Sequence, residues 1–434
     1  MIKNDSILYL TVTDQRHNRI ADIIGPAGVD AANPINDFTC TLNNLFRNVI
    51  SYDYLKNYIE KGVRKTNSEI CILVKKEKPQ YVLWRAHDYQ ILESTLQTTR
   101  ETGSIVIAWF WDDHFRFDNY ARLYIPSIDY SITTDPDAID KYNLLGARCL
   151  YSPGGCAGEH YKELDLPKKF DVSFVGSNVW GRNAYIQEIK RLGIEVATFG
   201  SGWNSGKISF DQMLNTFNSS KINLNFSGVG SNGAKQLKGR IFEIAMCRGF
   251  LLTEYVPGVE RFFVVDKEIA CFETIEEAVE KIEYYLEHER EREAIAQAGR
   301  NRAIREYTWS KILPRFFEEI EQDIAINDRS NISSKVVEIP QTALSAASFY
   351  HCTWAKAWFI ENRLDLSKEE LEVSLKYSPG RRRARRLSLI LRLPNPIRAW
   401  MFYVVDKCEQ TFSKVRNKLQ IRPKVRSILR HFHF

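Results

Sequence analysis

Between Lys235 and Phe263 the chain reads KQLKGRIFEIAMCRGFLLTEYVPGVERFF, and this stretch gathers the groups best suited to holding an anion. Lys235, Lys238 and Arg240 bring cations to the start of a helical pattern, where free backbone N–H groups and the helix dipole already favour a phosphate. Glu243 follows within one turn. Arg248-Gly249 predicts the end of the helix, and Phe250 to Thr253 is a short apolar run of the kind that fits a strand buried on both faces. That strand ends at Glu254, on the side of an open α/β sheet where ligands bind.

Other residues could share that chemistry. Gly176 and Gly200 follow strand-like runs, in FVGS and TFGSGW. Glycine there lets a backbone approach a phosphate, although a strand-to-helix turn calls for glycine in any case. Neither run is a GxGxxG fingerprint, so nothing points to NAD. In the first half His87 ends the run YVLWR, where an imidazole could act as a base or a hydrogen-bond donor or serve only structure. Asp112-Asp113-His114 ends another run. A carboxylate there could position or deprotonate an acceptor hydroxyl, the other reading being a capped loop with exposed charges. Asp135-Pro136-Asp137 has a DxD form that could hold a divalent cation, but Asp-Pro also opens helices. The cap over a helix Ala138 to Leu145 is favoured, and no metal ligand is assigned.

These residues need elements to carry them. In the first half, strand-like runs at Ser6 to Val12, Tyr81 to Arg85, Ser104 to Trp109, Ile128 to Thr133 and Arg148 to Tyr151 alternate with amphipathic segments such as Tyr54 to Lys65 and Ile91 to Glu101. Alternation of this kind predicts parallel βαβ units in a doubly wound sheet. Thr13 to Asp53 reads as a mobile loop followed by a helix, placed to serve as a lid or acceptor contact. The pattern breaks near Ser152-Pro153-Gly154-Gly155. It resumes with strands Val172 to Val175, Glu195 to Phe199, Ile222 to Phe226 and Glu268 to Phe272, and with helices Ala184 to Leu192, Phe210 to Ser219 and Ile275 to Ala298. Thr274 and Glu277 have capping-box spacing. The expected fold class is α/β, with two Rossmann-like domains facing a cleft: residues 1–165, then residues 166–325. Residues 326–378 form a helical extension, in which 344–379 resembles one tetratricopeptide-like hairpin, and 379–434 form a basic amphipathic tail.

The chain has 434 residues, 44% of them hydrophobic, which is enough for ordinary cores in two or three domains. Its eight cysteines contain no CxxC pair, which argues against a zinc site or a disulfide framework and for a reducing cytoplasm. MIKNDSILYLTV has too short an apolar run for a signal peptide, and no stretch reaches the roughly 20 residues of a spanning helix. The net charge of +6 is unevenly spread: residues 379–434 carry 15 Lys/Arg against Asp406 and Glu409, leaving 45 basic and 52 acidic residues elsewhere. Clustered cations beside Leu387, Leu389, Ile390, Trp400 and Phe402 suit an anionic membrane surface, a reading preferred over nucleic acid because the body is acidic.

KINLNFSG at 221–228, KGRIFEIAMCRGFLLTEYVPGVERFF at 238–263 and YYLEHEREREAIAQAGRNRAIREYTW at 284–309 together resemble the CgeB-like, group 1 glycosyltransferases of GT-B architecture. WFWDDHF, SITTDPDAIDKYNLLGAR and SPGG in the first half resemble them more loosely. The resemblance implies a nucleotide-sugar donor bound by the second half and a cell-surface glycan or lipid-linked acceptor bound by the first. It implies work in bacterial polysaccharide biosynthesis, at the inner face of the membrane, without metal or other cofactor. It places Arg182, Lys238 and Arg240 on the donor diphosphate and Glu243 on the donor ribose. Many retaining relatives carry a second glutamate eight residues before the Glu243 position, where this chain has Lys235, and Arg248 stands where they often have glycine. Retention is the favoured outcome. A catalytically inactive scaffold that tethers partners to a membrane or to nucleic acid is the alternative.

Overall fold

Six parallel strands, the inner ones near-continuously apolar, build the first sheet of the computed structural model, which describes residues 5–12, 38–152, 154–229, 234–327, 337–395, 397–398 and 401–402. They are β1 (Ser6–Thr11), β2 (Asn48–Asp53), β3 (Tyr81–Ala86), β4 (Ile105–Phe110), β5 (Tyr130–Thr133) and β6 (Arg148–Tyr151), in the order β2-β1-β3-β4-β5-β6. YVLWRA in β3 and IVIAWF in β4 are buried at every position, as expected of strands covered by helices on both faces. The helix Tyr54–Glu77 covers one face, with Asp53 accepting the Lys56 N–H at 2.9 Å as its N-cap and a kink at Gly62 (φ 82°). Asn48–Asp53 corrects the sequence reading: the segment before Tyr54 is an edge strand, preceded by a helix at Thr39–Leu45. Residues 13–37, the body of the expected lid, lie outside the described residues.

In the second half the chain forms β7 (Phe170–Val175), β8 (Ala197–Phe199) and β9 (Ser220–Asn225), then a small antiparallel hairpin of β10 (Gly228–Val229) with β11 (Ala234–Lys235), then β12 (Leu251–Glu254) and β13 (Ala270–Phe272). The hairpin apart, these strands make one parallel sheet in the order β13-β12-β9-β7-β8. The predicted helix Ile275 to Ala298 is two helices, Ile275–Glu287 and Glu289–Glu306, broken at His288; Thr274 caps the first by accepting the Glu277 N–H at 3.2 Å. Arg248 ends the helix Arg240–Met246 in the left-handed region (φ 57°), the conformation that makes glycine usual at such a position.

The two Rossmann-like domains share a seam. Cys156 and Thr308 form a parallel bridge, so the outgoing and returning segments run side by side. Beyond it, the helix Trp309–Ile326 belongs spatially to the first domain, although its sequence follows the second. Trp309, Leu313, Phe316, Phe317 and Ile320 pack with Tyr9, Phe38, Tyr81, Trp109 and Ile132.

The described residues from Leu344 onward form a second compact unit. Its helices include Leu364–Tyr377 and Arg382–Leu391. The charge of Arg382–Leu391 assigns it to the exposed tail, yet Ala384 and Leu387 are buried in a cluster with Cys352, Ala355 and Leu371. Its apolar face is therefore committed to the unit's own core. Arg382, Arg385, Leu389 and Arg392 are exposed.

Candidate active site

The cations Arg182, Lys238 and Arg240 follow β7 and β11, where the order of the second sheet reverses, the position at which open α/β sheets bind ligands. Arg182 opens the helix Arg182–Arg191 after the turn that follows β7. It is buried, donates to the Ser177 carbonyl at 3.0 Å, and lies over the rings of Phe174 and Trp180 at 5.7 and 5.4 Å. Its Nε is buried and has no hydrogen-bond partner among the described residues. Burial, reinforced by the neighbouring Arg240, lowers its pKa to about 10.

Lys238 approaches from the segment after β11. Its ammonium donates to the Gln236 side-chain oxygen at 3.2 Å and lies 5.2 Å from the Trp180 ring centre. Burial and then the charge of Arg182 lower its pKa to about 8, against the opposing pull of Asp112 and Glu254. Gln236 carries this segment across the cleft, donating to the Trp111 carbonyl at 2.9 Å and the Thr134 hydroxyl at 3.1 Å in the first domain. Glu254, 5% exposed, accepts the Ser227 N–H at 2.8 Å and pairs with Lys235 at 3.0 Å. Lys235 is thus a hairpin residue, and the helix begins only at Arg240, which corrects the predicted helix start.

Arg240 and Glu243 form an ion pair at 2.5 Å within one helical turn, and Arg240 also lies over Phe217 at 5.3 Å. Glu243 is 6% exposed and takes a hydrogen bond from Tyr161. Gly176 and Gly200 serve each other. Gly200 has φ +130°, and a Cβ there would stand 2.4 Å from the Gly176 carbonyl oxygen. A Cβ on Gly176 would meet the Phe174 ring at 2.8 Å. Close backbone approach of the turns after β7 and β8 accounts for both glycines.

On the opposite wall, Asp112 follows β4 as the N-cap of a short turn, with no side-chain capping bond, and its charge raises the pKa of both Lys238 and His114. His114 stands 3.8 Å from Asp135, with burial lowering its pKa. Asp113 departs from the expected catalytic role. It is 1% exposed and accepts from Thr133 at 2.7 Å and Tyr142 at 2.9 Å, inside the domain, where burial pushes its pKa to about 7. His87 departs too: burial and the cations Arg85 and Arg116 push its pKa to about 3, so near neutral pH it is uncharged and a very weak base, with its buried Nε2 unpartnered among the described residues. Asp135 accepts the Asp137 N–H at 3.1 Å, an Asx-type turn leading into the helix Ala138–Leu144.

The geometry adds Trp180, Gln236 and Glu254. Glu254 stands at a strand's carboxyl end, a signal readable in sequence; Gln236 carried none. Trp180, beside Gly181, is legible only as a large aromatic in a glycine turn.

Residues 182–318 match the family model described as "Glycosyl transferase-like". A comparison with curated protein sequences finds no match. Among solved structures, HepE from Anabaena in complex with UDP superposes with a TM-score of 0.50 at 8% identity, over 73% of this chain and all of that one. Sucrose-phosphate synthase from Thermosynechococcus elongatus gives 0.50 at 10% identity, over 75% of this chain and all of that one. Likeness at this identity speaks to the fold, which is GT-B, and the family match covers the segment 182–318 within it.

Proposed function

We propose that the protein is a glycosyltransferase of the CgeB-like branch that moves a sugar from a nucleoside-diphosphate donor to a glycan or lipid-linked acceptor. The observation that carries this reading is the gathering of Arg182, Lys238 and Arg240 at the mouth of the second sheet, where Arg182 and Lys238 both reach the Trp180 ring, Arg240 lowers the proton affinity of Arg182, and Arg182 lowers that of Lys238. Such a gathering is electrostatically unfavourable by itself and becomes favourable around a dianion. A departing nucleoside diphosphate is that dianion, and cations placed in advance stabilise the charge that grows on it as the glycosidic bond breaks. HepE, of the same fold, is known in complex with UDP.

Arg240 takes the outer phosphate edge, and Glu243 the donor ribose once its pair with Arg240 opens. Glu254, held by Ser227 and Lys235, supplies a carboxylate for the transferred sugar's hydroxyls. Across the cleft, Asp112 orients the acceptor hydroxyl, whose proton passes to the departing diphosphate oxygen on the same face of the sugar, with neutral His87 beside it. The charge work is done by side chains, so the reaction is metal-independent, and retention is the favoured stereochemical outcome. The C-terminal unit docks on anionic lipid through the exposed Arg382, Arg385 and Arg392, each cation contributing about 1 kcal/mol near the surface.

A thermal-shift panel of nucleoside diphosphates and nucleotide sugars tests the central claim. At least one nucleotide should stabilise the wild type, and Arg182→Ala should abolish the response; a wild type indifferent to every nucleotide refutes the reading and favours an inactive scaffold. Activity abolished by EDTA and restored by manganese would overturn metal independence, and NMR of the product's anomeric centre decides retention. Vesicle co-sedimentation unchanged in the Arg382→Glu, Arg385→Glu, Arg392→Glu triple variant would remove the membrane role.

A further inference from the structure

Trp180 is placed at a cost that its surroundings do not offset. Its φ of +53° lies in the left-handed region, rare for a bulky residue, and Gly181 after it has φ +81°. The residue is 47% exposed, so burial does not repay the strain. Among the described residues its ring has no aromatic partner. What it faces is two cations from two different elements, the Arg182 guanidinium at 5.4 Å and the Lys238 ammonium at 5.2 Å. Its carbonyl closes against the β10 hairpin, where a Cβ on Gly228 would stand 3.7 Å from it.

A ring that two cations both approach offsets part of their repulsion, because each cation is drawn to its electron-rich face. We propose that Trp180 is a placeholder for the donor diphosphate: its ring holds Lys238 and Arg182 when no nucleotide is bound and yields them when a nucleoside diphosphate enters. The two cations cannot turn fully to a dianion while keeping the ring at contact distance, so ring and diphosphate compete for them. The left-handed backbone helps the ring to yield, since leaving that conformation relieves strain. This inference rests on the donor-site reading above and assigns Trp180 a gating part in it. A stacking platform makes the opposite prediction, because removal of the ring would then weaken binding.

Calorimetric titration with UDP, GDP, ADP and dTDP as probes, on wild type, Trp180→Ala and Trp180→Phe, separates the cases. The expected result is binding on the order of tenfold tighter for Trp180→Ala, the loss of two ring–cation contacts from the competing state, with Trp180→Phe between it and wild type. The nucleotide-induced change in tryptophan emission should be present in wild type and largely absent in Trp180→Phe. Unchanged or weaker binding by Trp180→Ala, with wild type binding normally, overturns the gate and leaves the donor site standing. A wild type that binds none of the four nucleotides overturns both.

Discussion

Replacing Lys238 by Met should make the protein more stable and less able to bind nucleotide, and the gain should depend on pH. In the fold the Lys238 pKa falls from 10.5 to about 8, with burial the leading cause and Arg182 the next. The unfolded chain therefore binds more protons between those two values, so the contribution of this residue to stability rises with pH across that window. Below about pH 8 the penalty is complete; above pH 10.5 it is gone. At about 1.4 kcal/mol per pH unit, holding the charged form at pH 7 costs at most about 3 kcal/mol, and partial exposure of the side chain discounts this to about 1–2 kcal/mol. Met keeps the length of the stem and removes the charge. Lys238→Met should thus raise the melting temperature by about 1–3 °C at pH 7 and by little at pH 10, measured by scanning calorimetry without nucleotide. A destabilised variant, or a gain equal at both pH values, would refute the reasoning. The same variant should lose most of its nucleotide-induced stabilisation, the usual exchange between stability and function at a charged site.

The chemistry of the opposite wall separates two adjacent carboxylates. Asp112→Asn should slow transfer with little change in folding, while Asp113→Asn should keep activity and gain stability between pH 5 and pH 8, because burial holds the Asp113 pKa near 7 and the fold loses stability as pH rises toward that value; steady-state rates and melting curves read both. Gly200→Ala forces a Cβ to 2.4 Å from the Gly176 carbonyl oxygen and should cost about 2–4 kcal/mol, visible as a fall in melting temperature. Arg248→Gly relieves a left-handed φ of 57° and gives up ion pairs with Glu163 and Glu293 near the surface, so stability should rise by up to about 1 kcal/mol in chemical denaturation.

Much of this architecture is legible in sequence because its strands are apolar and its helices punctuated. YVLWR and ILEST, or FVGS and the helix after it, alternate in a way few other folds allow. The strand Asn48–Asp53 escaped because it is an edge strand, never fully buried, and NVISYD lacks the apolar run that betrays β3 and β4. Lys235, Lys238 and Arg240 are readable as cation types, yet their arrangement is not. Lys235 belongs to a hairpin whose pairing with Gly228 depends on residues far from the helix it precedes. Asp113 looks identical to Asp112 in sequence; only Thr133 and Tyr142, brought by β5 and the following helix, turn it into an interior group. The role of Trp180 had no sequence signal, since cation–ring contacts arise from separate segments meeting in space.

The return of Trp309–Ile326 to the first sheet also sets a timetable for synthesis. Trp109, Phe38, Leu42 and Tyr81 share their cluster with Trp309, Leu313, Phe316 and Phe317, which are made only after the whole second domain. A ribosome adding about 5–20 residues per second leaves this aromatic face waiting on the order of 10–30 s after β6 emerges. During that interval the nascent first domain is a sheet with one side covered only in part, by Phe38, Leu42 and Phe46, the kind of surface that holding chaperones bind. The second domain meets no such delay, because its strands and covering helices arrive together. The later half of the chain is thus expected to reach its native packing first, with the first half completed when its borrowed helix comes back.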